Sequence, residues 1–284
     1  MIIVLWKAGV NMKKFLIANI EKWLIPHFES IGEFHYLQQA KTKDFDLFDP
    51  EIPLVIGFEY ISDLTELGAL ADLLHIVIKT GNLKKIVYLS SYGVYSPKKS
   101  QYTEDDLVSP MNFVGTRAAM LEDALIYLSH RYEVDLTILR LFNPYGPFQI
   151  SPYVIPSVLE SIATKRTVRI GDSEKVRDFI YVTDLIEVIN RVLEFNESGL
   201  RIYNVGSGKA TSIHELIIKA QEITKGSCDV IFDATKLREE YDYDYAVADI
   251  SKIKKELNWK PKIDLETGLS LTYQWILGRS GKGV

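Results

Sequence analysis

Short apolar runs alternate along this chain with longer stretches whose apolar positions recur at helical spacing. The short runs cover 15–18, 54–57, 86–90, 136–142 and 202–205. They are hydrophobic almost without interruption, as strands buried on both faces are. The longer stretches include 64–80, which stops at Gly81, a favoured residue just past a helix end. A second is 115–130, where Ala118, Leu121, Leu125 and Leu128 share one face. In Thr211-Ser212-Ile213-His214-Glu215 a Ser stands three positions before a Glu, ahead of the apolar run 216–223. That is a capping box, and it predicts a helix start. The alternation as a whole predicts strand-helix-strand units, an α/β chain with a parallel sheet.

No linker rich in Gly, Pro or Ser, no repeat and no low-complexity segment interrupts the pattern. Pro144, Pro147, Pro152 and Pro156 cluster where the composition shifts, so a first domain is expected over 1–145 and a smaller lobe mainly over 146–284. The tail GRSGKGV is expected to fray. Met12, followed by Lys13 and Lys14, is a candidate start beside Met1.

Charge and cysteine usage narrow the partners. A net charge of −5 over 284 residues leaves no basic stripe, which argues against nucleic acid. Cys228 is the only cysteine, so an internal disulfide and a thiolate metal cluster are excluded. The five histidines, His27, His35, His75, His130 and His214, lack ligand spacing, and no metal is expected. The opening MIIVLW gives way to Lys7, and no run approaches the roughly 18 apolar residues of a membrane span. The expectation is a cytoplasmic protein with a small-molecule ligand and no membrane contact.

Five blocks stand in order: IVYLSSYGVYS at 86–96, ILRLFNPYGP at 138–147, VRDFIYVTDL at 176–185, IYNVGSG at 202–208 and ADISKIKKELNWKPK at 248–262. Together they resemble the extended short-chain dehydrogenase/reductase family, in particular its NAD-dependent nucleotide-sugar epimerases and dehydratases. The resemblance implies a Rossmann-like doubly wound parallel sheet that binds NAD or NADP, with a smaller C-terminal substrate-binding lobe. It also implies transient hydride transfer at a sugar. A Tyr acts there as acid and base, a Lys four residues on lowers its pKa, and a Ser or Thr orients the substrate.

Matched residue by residue, Ser91 stands at the substrate-orienting position. Phe113 stands where the Tyr is expected and Arg117 where the Lys is. Phe113 has no titratable group, and the planar fork of Arg117 does not reproduce an ammonium. The acidic pair of the sugar dehydratases is replaced by Tyr92-Gly93. The cofactor half departs further. The run 15–18 is followed by NIEKWLIPHFESIG, without the glycines that let backbone approach a pyrophosphate. Glu21, Lys22 and Trp23 stand in their place. If the first strand is instead 2–5, Gly9 is the only glycine nearby. The segment 34–57 is short for the usual strands and helices, and Glu59-Tyr60 replace a small pair, so the N-terminal half of the sheet is expected to be shortened.

The substrate half matches best. Asn143 is the implied contact to nucleotide-sugar phosphates, Pro144 and Gly146 shape its loop, and Arg177 is the implied partner of the diphosphate. Arg238, one residue out of step, is a candidate second Arg. Structural roles compete at each position: Asn143 capping a turn, Arg177 pairing with Asp178 or Asp184, Arg238 pairing with Glu239 or Glu240. The alternation YDYDY at 241–245 fits a half-exposed strand or a polar loop.

The asymmetry leads to one expectation and two rivals. The first is a nucleotide-sugar-binding pseudoenzyme or partner subunit, doubtful as a binder of NAD or NADP, in a homodimer or with an active family member. The second is an active epimerase or reductase with another proton donor, Tyr92 or Tyr95, its phenol acidified by Arg117. The third is an interaction module that keeps only the fold and docks through helices 64–80 and 115–130.

Overall fold

The structure is a computed structural model that describes residues 14–18, 20–36, 52–57, 75, 78, 83–195, 198–233 and 242–280. Its main sheet is built from β1 (Lys14–Ala18), β2 (Glu33–Tyr36), β3 (Leu54–Ile56), β4 (Lys85–Ser91), β5 (Asp135–Leu141) and, later in the chain, β10 (Leu200–Val205). The strand order is β10-β5-β4-β3-β1-β2. β1 lies parallel to both β2 and β3, and β3 parallel to β4. The chain leaves β1 outward to β2 and returns on the other side as β3, which makes the doubly wound switch point. Among the described residues β2 alone lies outside β1. The strands match the apolar runs to within a residue or two at their ends.

Of the helix expected over 64–80, only His75 and Ile78 are described, and both are helical. The alternative first strand at 2–5, Gly9, Met1, Met12 and the Glu59-Tyr60 pair lie outside the described residues.

The chain divides into two compact units. One comprises residues 1–90, 117–139 and 189–202, the other 91–116, 140–188 and 203–284. The first holds most of α2 (Phe113–Tyr132), reached after the one-turn α1 (Ile25–Phe28). Its core joins Leu121, Leu125 and Leu128 of α2 to Leu16, Leu54, Ile56, Ile86 and Ile138 of the sheet. The register Leu16↔Leu54 and Leu54↔Ile86 aligns these apolar side chains across three strands.

In the second unit, short strands and helices follow one another: β6 (Pro144–Tyr145), α3 (Val154–Thr164), β7 (Val168–Ile170), β8 (Val176–Arg177), β9 (Ile180–Tyr181) and α4 (Val182–Glu194), whose last turns belong to the first unit. After β10 come β11 (Thr211–Ser212), α5 (Ile213–Thr224), β12 (Val230–Phe232), β13 (Tyr245–Ala246), α6 (Ser251–Leu257) and α7 (Leu265–Ser280). The strands form the sheets β11-β8-β13, β12-β7 and β6-β9, and α3, α5 and α7 pack against one another in pairs. The capping box is realised: the Ser212 hydroxyl accepts from the backbone N–H of Glu215 at 3.0 Å. Of the tail expected to fray, 278–280 continue α7, with Arg279 reaching Glu160 of α3 at 3.1 Å, and 281–284 lie outside the described residues.

One cation closes a helix end in the first unit. The Lys85 ammonium, at the start of β4, donates to the carbonyls of Val192, Leu193 and Phe195. These are acceptors left over at the C-terminus of α4, where the helix dipole favours a cation. Burial holds the Lys85 pKa below its ordinary value. Lys85→Met is expected to lower unfolding stability by about 1–2 kcal/mol, seen as an earlier urea midpoint with an unchanged slope.

Candidate functional site

The C-terminal end of β1 is where a dinucleotide fold presents its glycine turn. Here the turn is filled by side chains. Ile20 and Leu24 are buried, and Trp23 is buried too, its indole N–H donating to the Glu21 carboxylate. The helix that follows is α1, four residues long with a proline in its first turn, and its N-cap supplies no side-chain hydrogen bond. A pyrophosphate would meet an indole, two aliphatic chains and a carboxylate where it needs bare backbone N–H groups and a helix N-terminus. The residues present do not fit the pyrophosphate of NAD or NADP at this turn.

Arg117 and its neighbours sit in the first unit. Arg117 is 2% exposed, which places its guanidinium in the core, closed to a solvent-borne anion. Glu122, further along α2, is also buried and accepts from the Ser90 hydroxyl at 2.5 Å. Both charges act on the buried phenol of Tyr88 on β4. Burial pushes its pKa well above the ordinary range, Glu122 adds to the effect and Arg117 opposes it. The Arg117 charge thus acts on the Tyr88 phenol.

The second unit carries the remaining predicted residues. Ser91, 8% exposed, ends β4, and its hydroxyl accepts from the Gly93 N–H at 3.1 Å, capping the single 3-10 turn Tyr92–Val94. The N-terminus of α2, with Phe113, meets this turn at its backbone. A Cβ on Gly115 would lie 1.8 Å from the Gly93 carbonyl oxygen, so only glycine permits the approach. Phe113 and Arg117 bring no phenol and no amine to this helix start. Val114 and Ala118, the next pair at the same spacing, bring none either.

The two alternative phenols differ. Tyr95 is fully buried, donates to Asn204 at 2.6 Å and stacks on Tyr102, with the Arg140 guanidinium 4.7 Å from its ring centre. Burial pushes its pKa up to about 12 against the opposing charge of Arg140. It is a structural phenol. Tyr92 is half-buried, stacked on Phe142 at 5.3 Å and edge-on to Tyr243 at 5.5 Å. Tyr243 itself is buried and donates to the carbonyls of Gly93 and Tyr95 at 2.8 and 2.7 Å.

Asn143 and Arg177 are brought to one place. Asn143 adopts a left-handed conformation, φ 37°, and its amide donates to the Asp178 carbonyl at 3.0 Å, beside Arg177. Gly146 turns the loop at φ 155°, where a Cβ would crowd Val182 at 2.6 Å. Arg177 is 7% exposed. One arm of its fork donates to the Val176 carbonyl at 2.9 Å and the other pairs with Asp242 at 2.8 Å. Asp178 and Asp184 are engaged elsewhere: Asp184 accepts from the backbone N–H groups of Lys262 and Ile263. Asp178 is fully buried and accepts from the Ser207 N–H and hydroxyl at 2.6 and 2.5 Å, the Gly208 N–H at 2.9 Å and the Ala248 N–H at 3.2 Å. Burial raises its pKa to about 6 even against these four donors. Arg238 lies outside the described residues.

Sequence reasoning weighed Asp178 only as a partner for Arg177 and assigned no role to Tyr243. The signal for Asp178 was its place between the Arg and the apolar run of VRDFIYV. The signal for Tyr243 was the alternation of YDYDY, whose Asp242 takes Arg177 while Tyr243 turns into the core. A 450 Å³ groove bounded by Phe179, Lys209, Lys219, Lys262 and Asp264 also lies in this unit. Among the described residues no group of His, Cys, Asp or Glu could hold a metal ion, and no helix is long and apolar enough to cross a membrane.

Sheet order and switch point define a Rossmann-like α/β protein, and comparison with known proteins carries this further. The chain belongs to the NAD-dependent epimerase/dehydratase family, an extended short-chain dehydrogenase/reductase group acting on nucleotide sugars, whose family model matches residues 60–206. It is similar to the UDP-glucuronate 4-epimerase of Thermodesulfobacterium geofontis, 29% identical over 70% of this chain and 61% of that one. It is also similar to the low-salt glycan biosynthesis protein Agl12 of Haloferax volcanii, 32% identical over 69% of this chain and 63% of that one. The chain thus spans less than two thirds of the length of these two relatives. In fold it resembles MoeE5 in complex with UDP-glucuronic acid and NAD, with a TM-score of 0.81, 19% identity and coverage of 94% and 99% of the two chains. The UDP-glucose 4-epimerase of Thermotoga maritima with UDP-glucose gives a TM-score of 0.78, 24% identity and the same coverage.

Two outcomes test the local geometry. Gly115→Ala is expected to cost about 3 kcal/mol, at the upper end for overpacking, because the clash is with backbone that cannot rotate away; thermal melting measures it. Asp178 has a folded pKa raised from 3.8 to about 6. The folded state therefore holds a proton that the unfolded state releases, and this contribution is fully present below about pH 4 and lost as pH rises through about 6. It amounts to ~3 kcal/mol for a shift of about two units. Asp178→Asn is expected to be destabilising overall, with a penalty that shrinks as pH rises from 4 to 6 in denaturant titrations.

Proposed function

We propose that this chain binds a nucleotide-diphosphate sugar through Asn143 and Arg177 and has given up the hydride chemistry of its family. It acts as a pseudoenzyme, or as a partner subunit in a homodimer or a hetero-oligomer with an active family member. The observation that carries the reading is an asymmetry. Asn143 and the 7% exposed Arg177 stand together on a loop and strand fixed by Asp178, while the helix start at Phe113 offers no proton donor. The side chains of Trp23 and Glu21 fill the turn a pyrophosphate needs.

A nucleotide diphosphate presents oxygens that a planar guanidinium binds in pairs. Asn143 places an amide beside the same strand. Without a group that titrates between substrate hydroxyl and solvent, proton transfer at the sugar has no agent at position 113. The nicotinamide coenzyme would supply the hydride step in this family, and the filled turn after β1 argues against its retention.

The second reading keeps activity and rests on Tyr92, which adjoins Ser91 and is the phenol of this turn that is not fully buried. Calorimetric titration with UDP, dTDP, UDP-sugars and NAD separates the two. The expected outcome is binding of a nucleotide or nucleotide sugar, weakened at least tenfold by Arg177→Met for loss of a charge-assisted pair, and no heat with NAD. Tight NAD binding together with sugar turnover abolished by Tyr92→Phe would replace the first reading by the second. Absence of any nucleotide binding would leave an interaction module.

A further inference from the structure

Lys175 stands two residues before Arg177, and in extended backbone such residues point to the same face. Both cations converge on one side chain. The Lys175 ammonium donates to the Asp242 carbonyl at 2.6 Å and lies 3.8 Å from Asp242 Oδ2, while Arg177 Nη2 lies 2.8 Å from Asp242 Oδ1. One carboxylate thus has a cation at each oxygen. The two basic side chains are little exposed, 15% for Lys175 and 8% for Arg177. The other acidic group near Lys175 is Asp244 at 3.4 Å, 73% exposed, and a pair with one partner in water is strongly screened. Glu174, the residue before Lys175, is exposed and accepts from Ser173. Two little-exposed cations therefore meet at the Asp242 carboxylate, with the largely exposed Asp244 as the second acid on Lys175, and a pair of cations so placed suits an anion bearing more than one charge.

We propose that Lys175 is a second cationic contact for the diphosphate of the nucleotide sugar, set beside Arg177 by the Asp242 carboxylate. The inference rests on the reading of Asn143 and Arg177 as nucleotide contacts. Arg177 supplies a planar fork and Lys175 a compact point charge, so the two make different contacts to one diphosphate. Asp242 fixes their separation and takes no part in binding the ligand. The second phosphate is what Lys175 reads, which separates a nucleoside diphosphate from a monophosphate.

The experiment is titration of the full chain with UDP, dTDP and UMP, comparing wild type with Lys175→Met and Lys175→Arg. For whichever diphosphate the wild type binds, Lys175→Met is expected to weaken affinity about tenfold, the loss of one charge-assisted contact. UMP affinity should change by less than threefold, and Lys175→Arg should restore most of the diphosphate affinity. Thermal melts check that the variants fold, with Lys175→Gln taking the place of the Met variant if it does not. Unchanged diphosphate binding in Lys175→Met overturns the inference while leaving the nucleotide reading intact. So does an equal loss for UDP and UMP without rescue by Arg, which marks a structural role. A wild type that binds neither nucleotide overturns the nucleotide reading itself.

Discussion

The candidate site depends on a buried carboxylate. Asp178 collects four donors from two segments far apart in sequence, two from Ser207 and one from the adjacent Gly208, and one from Ala248. Its own backbone carbonyl receives the Asn143 amide. A carboxylate with no solvent exposure is tolerable only when its oxygens are satisfied, so the loop after β10 and the segment after β13 must close on it. Once they do, Arg177 on one side and Asn143 on the other are fixed as a by-product. The site residues are held by a neighbour that touches no ligand in the proposed reading.

A similar logic governs the helix position of Arg117. The guanidinium was drawn into the core of the first unit, beside the Tyr88 phenol, with the Glu122 carboxylate and the Ser90 hydroxyl completing the polar group. A cation so placed needs compensating charge, and the Glu122 carboxylate is buried in the same core. The residue that resembles a catalytic lysine in alignment is, in three dimensions, part of what holds the helix to the sheet.

Much of the fold was legible in the sequence because the main strands are buried on both faces and the helices carry one apolar stripe. Residues 86–90 and 136–142 are apolar for that reason, and Ser212 with Glu215 marks a helix start through local hydrogen bonding alone. The site was legible in part. Asn143 and Arg177 could be placed by motif, yet the partner of Arg177 could not. Asp178 and Asp184 were nearer in sequence, but a strand carries its neighbours to opposite faces, and pairing with Asp242 arises from β8 lying beside β13. The continuation of α7 past Gly278 was missed because its support, Glu160 on α3, is remote in the chain. Burial of Arg117 was equally unreadable, since charge suggests exposure until a compensating acid is found.

The turn after β1 has a consequence for descent. Restoring a tyrosine at 113 and a lysine at 117 would return two functional groups, but the indole of Trp23 and the carboxylate of Glu21 would still stand where a pyrophosphate must lie. An ammonium at 117 would also inherit the buried surroundings of Tyr88 and Glu122. In the proposed reading no single reversal would yield a gain, because each part would be useful only when the others are present. In the proposed reading the loss acts as a ratchet: a route back to redox chemistry would run through several steps that bring nothing by themselves.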